Sequence, residues 1–97
     1  MPRYLVERSF PQGLHIPPNA NGVTACLNVV GNNAKEGVTW IHSYVSNDKT
    51  KTYCIYDGPS EDAIRTVAGL NGLPVDRVQQ VSVLDPYFYV DEVLVAT

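Results

Sequence analysis

The sequence lacks a basic run. Its seven lysines and arginines (Arg3, Arg8, Lys35, Lys49, Lys51, Arg65 and Arg77) are scattered, and ten acidic residues outnumber them. A net charge of −3 with no basic stripe argues against a nucleic-acid partner. Apolar runs are short. None approaches the roughly 18 residues of a membrane-crossing helix, which argues against a membrane role. The start, "MPRYLVERSF", has neither the apolar core nor the small-residue cleavage site of a signal peptide, so the cytoplasm is the expected location. Cysteine is scarce: Cys26 and Cys54 are expected as free thiols in a reducing compartment. No CxxC, HxH or HExxH spacing exists, and no nucleophile-elbow, phosphate-binding or dinucleotide motif. No catalytic residue is therefore assigned, and a non-enzymatic role is expected.

What is present is a globular composition, 44% hydrophobic and 18% charged, over 97 residues. That length makes a single domain, 1–97, with a modest core and a small stability margin. Dimerisation is a common way for such a chain to bury more surface.

Strand and helix signals alternate along the chain. "RYLVERSF" (3–10) reads as a strand, followed by a proline-rich loop. Asn19 or Asn21 offers a cap for a helix over 22–36, whose apolar face is Val23, Cys26, Leu27, Val30 and Ala34, with Gly37 beyond its end. "VTWIHSYVS" (38–46) and "KTYCIYD" (51–57) read as a hairpin. A second helix opens after Ser60, with Glu61 and Asp62 at its positive end, and stops near Gly72. Those two acids would repel an anion, so "GPSEDAIR" reads as a cap rather than an anion site. "VQQVSVLDP" (78–86) is a fourth strand, and "YFYVDEVLVAT" a β-prone tail forming a fifth strand or an arm, with 90–97 an extension. The order β-α-β-β-α-β predicts an α+β ferredoxin-like sandwich, with an antiparallel sheet and both helices on one face.

The face without helices is where a site or a partner is expected. Placing Ile41, Val45, Tyr53, Ile55, Val81, Val83, Tyr4 and Val6 in the core sends Trp40, His42, Tyr44, Thr52, Cys54, Tyr56, Leu5 and Glu7 to the open face. Glu7 and His42 would then stand two strands apart, roughly 10 Å at the backbone, with Cys54 between them. Imidazole, carboxylate and thiolate are all ligands for Ni, Zn or Cu, so His42, Glu7 and Cys54 are candidate metal ligands, with His15 a further donor. Trp40, Tyr44 and Tyr56 are candidate ligand-binding aromatics, in a cleft where Glu7 or His42 would serve as a general base. Plainer readings stand beside these: His42 packed among aromatics at a subunit contact, Glu7 paired with Arg8, Arg3 or a partner, Cys26 a small core residue.

"MPRYLVERSFPQGL", "GVTWIHSYVSNDKTKTYCIYDGPSEDAIR", "NGLPVDRV" and "VLDPYF" together resemble a family of small bacterial ferredoxin-like nickel-binding proteins, formerly of unknown function and typified by a Streptomyces protein. The resemblance spans roughly 1–89. It implies a ferredoxin-like fold, a homodimer, and divalent-nickel binding at the dimer surface, for sequestration. His42 and Glu7 occupy the family patterns "WIHSY" and "YLVER". The related dimeric α/β-barrel architecture also hosts small enzymes, which keeps a small-molecule-binding or catalytic role as the alternative.

Overall fold

A computed structural model describes residues 1–88. The elements are β1 (Arg3–Ser9), α1 (Ala20–Ala34), β2 (Thr39–Val45), β3 (Lys51–Asp57), α2 (Glu61–Asn71) and β4 (Arg77–Val81). The sheet is antiparallel, ordered β2-β3-β1-β4. This α+β arrangement is compatible with a ferredoxin-like fold.

Local chemistry sets the element ends. The Asn19 side chain accepts from the Asn21 amide at the start of α1, so of the two expected caps it is Asn19 that serves. Ser60 caps α2 by accepting from the Ala63 amide at 3.1 Å, and Gly72 closes that helix in the left-handed region at φ 65°. In the β2–β3 turn the Asp48 carboxylate accepts from the Ser46 hydroxyl and from the amide and hydroxyl of Thr50. These bonds hold its pKa down to about 2. The fourth strand stops at Val81, earlier than expected, and 86–88 form a helical turn instead of continuing a strand. The extension 90–97 lies outside the described residues.

The core forms where α2 meets the sheet. Ala63, Ile64 and Val67 pack with Tyr4, Val6, Val38, Cys54 and Tyr56. Helix α1 turns Gly22, Cys26, Val29 and Asn33 inward, one position round from the expected stripe, and leaves Val23, Leu27 and Val30 exposed. Two features fix this rotation. A Cβ on Gly22 would stand 1.9 Å from the Pro17 carbonyl oxygen, and buried Asn33 accepts from the Asn71 side chain of α2.

Register decides which strand residues share a face. Val6 lies opposite Cys54 and Tyr4 opposite Tyr56, so Cys54 and Tyr56 join Tyr4, Val6 and Arg8 beneath the helices. Tyr53 and Ile55 therefore belong to the open face, the reverse of the sequence expectation. In β2 the pairing passes from Trp40↔Tyr56 to His42↔Ile55, leaving Ile41 as an extra residue. This bulge puts Trp40 on the helix side and His42 on the open side, although they stand two positions apart, a spacing that in a regular strand shares one face. In β4, Val78 pairs with Val6 and Val81 with Arg3, so Val81 faces the open side and Val83 lies beyond the strand.

Candidate functional site

The open face carries two rows of paired residues. One runs His42, Ile55, Leu5, Gln79; the next runs Tyr44, Tyr53, Glu7, Arg77. The His42 ring stands edge-on to Tyr44, with centroids 5.1 Å apart, and neither ring nitrogen has a hydrogen-bond partner among the described residues. Tyr44 is 62% exposed. Glu7 is half-buried, and its carboxylate has neither an ion pair nor a hydrogen bond among the described residues. The expected salt bridges of Glu7 to Arg3 or Arg8 do not form: Arg3 pairs with Asp57 at 2.8 Å, raising its own pKa and lowering that of the carboxyl.

Glu7 and His42 thus share the open face, as expected, but in different rows. Two strand spacings and one row of the same face separate them, roughly 12 Å at the backbone. Two donors on one ion lie about 4 Å apart at most. Among the described residues, no three His, Cys, Asp or Glu side chains gather closely enough to hold a metal. The described residues of one copy do not close a coordination sphere.

Cys54 is not beside them. It is buried under the helices, its thiol 3.7 Å from the Thr52 hydroxyl, because its partner Val6 is a core residue. This corrects the expected grouping of Cys54 with Glu7 and His42. His15 sits exposed in the β1–α1 loop, Nε2 at 3.3 Å from the Gln12 carbonyl oxygen. Both cysteines are free thiols.

The aromatic cleft also divides. Trp40 and Tyr56 line a cavity of about 120 Å³ on the helix side, while Tyr44 lies across the sheet with Glu7 and His42. A cleft combining all three aromatics with Glu7 or His42 as base is therefore corrected by the bulge at Ile41 and by the register of β3. The cavity is walled by Phe10, Leu14 and Ile16 from the loop, Val29 from α1, and Arg8, Cys54 and Thr52 from the sheet. Trp40 Nε1–H donates to the Ser43 hydroxyl at 2.8 Å, which fixes the indole against it.

Arg8 is the residue that the sequence reading passed over. It is 2% exposed. Nη1 donates to the Pro74 carbonyl at 2.7 Å and Nη2 to the Tyr56 hydroxyl at 3.2 Å, while Nε is buried without a partner among the described residues. The guanidinium carbon lies 6.0 Å from the Tyr56 ring centroid. Burial, with a smaller contribution from Cys54, pushes the Tyr56 phenol up to about 12. A signal existed: Arg8 continues the phase of Tyr4 and Val6, which points it at the core.

Comparison with known proteins gives a family and a fold. A family model described as "Nickel responsive protein SCO4226-like" matches residues 4–81. The chain belongs to the SCO4226-like nickel-responsive family. The crystal structure of SCO4226 from Streptomyces coelicolor A3(2) superposes with a TM-score of 0.67 at 18% identity, covering 86% of this chain and 99% of that one. At that identity the likeness establishes a shared fold. A search of curated proteins finds no match. Within the SCO4226-like chain described here, no helix among the described residues is long and apolar enough to cross a membrane.

Proposed function

We propose that the protein is a cytoplasmic homodimer that binds nickel or a similar divalent ion on the open face of its sheet, for sequestration. His42 of one copy supplies an imidazole and Glu7 of the second copy a carboxylate, so that each ion is shared between the two subunits. The carrying observation is that the open face of a nickel-responsive family member holds two metal-ligand side chains with no hydrogen bond or ion pair of their own among the described residues. A half-buried carboxylate in a central strand is costly unless something compensates it. A bound cation would do so, and neutral imidazole is a good nickel donor. The same face carries half-buried Leu5, Tyr53 and Ile55 with no helix over them, apolar surface that suits a second copy.

Calorimetric titration of nickel into metal-free protein tests the reading, run on the parent chain, His42→Ala and Glu7→Gln. Loss of an inner ligand should weaken binding at least as much as loss of an outer-shell contact, roughly ten-fold or more. Equal affinity in all three proteins removes both residues from the site. Sedimentation of the nickel-loaded protein should give a dimer; a loaded monomer refutes the shared site.

A further inference from the structure

We propose that the cavity between the sheet and the β1–α1 loop binds a small organic carboxylate, its anionic head paired with the Arg8 guanidinium and its apolar body seated against Trp40, Leu14 and Val29. Nothing in the nickel reading assigns this site, which lies on the other side of the sheet.

The first ground is the unbalanced charge. Arg8 is almost wholly buried, and guanidinium does not give up its proton. The ion pairs among the described residues are Arg3–Asp57 and Arg65–Glu61, so no described acid answers Arg8. Its two hydrogen bonds go to neutral oxygens, and its Nε–H has no acceptor among the described residues. A buried charge in this state is costly unless an anion joins it.

The second ground is space of the matching character. The cavity of about 120 Å³ has Arg8 on its wall and mostly apolar neighbours. An apolar cavity of about 150 Å³ stays dry and admits benzene, so a ring-sized body is the right scale. A second space of about 370 Å³ shares Leu14, Ile16, Val29, Trp40 and Leu73 with the first, leaving room for a longer apolar body. Ile16, 47% exposed, brings the cavity wall to the surface.

The third ground is selectivity. One guanidinium balances one negative charge, which suits a carboxylate better than a doubly charged phosphate. Carboxylate and guanidinium also match in planar geometry. The Tyr56 phenol beside Arg8 stays protonated at neutral pH and adds a neutral hydroxyl to the head-group end. A metal cation would be repelled there.

The test is amide and indole NMR on metal-free full-length protein in chelator, titrated with sodium benzoate and, separately, with benzyl alcohol as the uncharged match. Benzoate should give saturable shifts at the Trp40 indole and the Val29 and Cys54 amides. It should bind roughly ten-fold or more tightly than benzyl alcohol, the scale of a charge-assisted hydrogen bond. Arg8→Met should abolish that preference. Val29→Phe, which fills the cavity and leaves Arg8 in place, should abolish binding while its spectrum stays folded; it decides the matter if Arg8→Met does not fold. The proposal is overturned by no saturable shift at millimolar benzoate, by equal affinity for benzyl alcohol, by tighter binding of inorganic phosphate, or by shifts confined to the open face. Chelator keeps each outcome independent of nickel binding.

Discussion

Thiol chemistry gives a direct reading of sheet parity. With Cys26 replaced by serine, Cys54 is the remaining thiol, and it is buried beneath α2 against Tyr4, Val6 and Ile64. Cys54 lines the cavity of about 120 Å³, and a two-ring aromatic disulfide reagent, larger than that space, reaches the sulfur only when the domain opens. At about 0.05 kcal/mol per residue, the low end for natural domains, 97 residues give a stability of about 5 kcal/mol. At about 1.4 kcal/mol per decade, Cys54 should react three to four decades more slowly in the folded protein than in urea-unfolded protein. Its chain neighbour provides the contrast. Ile55 pairs with His42 and Leu5 on the open face, so in metal-free protein diluted to the monomer Ile55→Cys, with both native cysteines changed to serine, should react at least roughly a hundred-fold faster than folded Cys54. Absorbance-monitored labelling of the two proteins measures both rates. Rapid labelling of Cys54 together with protection of Ile55→Cys would refute the register, and with it the division of the candidate residues between two faces.

Other outcomes follow from the core and the turns. Ser60→Ala removes the α2 cap and should cost about 1 kcal/mol, lowering Tm by roughly 4–8 °C in a calorimetric scan. Ile64→Ala empties a fully buried core position and should cost about 2–5 kcal/mol in urea unfolding at unchanged m value. The Asp48 carboxyl sits at about 2, below its ordinary 3.8, so its stabilising contribution is complete above pH 4 and fades as pH falls toward 2. Asp48→Asn should flatten the acid limb of the stability profile in that window; an identical limb in both proteins counts against the turn network.

The sequence was most legible where one residue type does one job. Asn19, Ser60 and Gly72 stand at the helix ends that their chemistry predicts, and the alternation of elements led to an α+β chain with an antiparallel sheet. The faces were harder. β3 reads "KTYCIYD", with aromatic or aliphatic residues in both phases, so a period of two does not choose between them. The choice comes from pairing with β1, where Val6 commits Cys54 to the core. Helix α1 has two apolar stripes one residue apart, and the close approach of Gly22 to Pro17 selects the less obvious one. The bulge at Ile41 has neither glycine nor proline to announce it. Arg8 was visible as a charge in an apolar phase, yet its lack of an acidic partner emerged only from the packing.

The bulge bears on how copies of this chain meet. β2 and β4 are the two rims of the sheet. β2 is interrupted at Ile41 and β4 is five residues long, so neither rim presents a long flat row of amides to an incoming strand. Growth by strand addition, the route to fibrils, is thereby discouraged at both sides. In the proposed homodimer, self-association falls to the broad surface around Leu5, Tyr53 and Ile55, where a two-fold contact would stop at a closed pair.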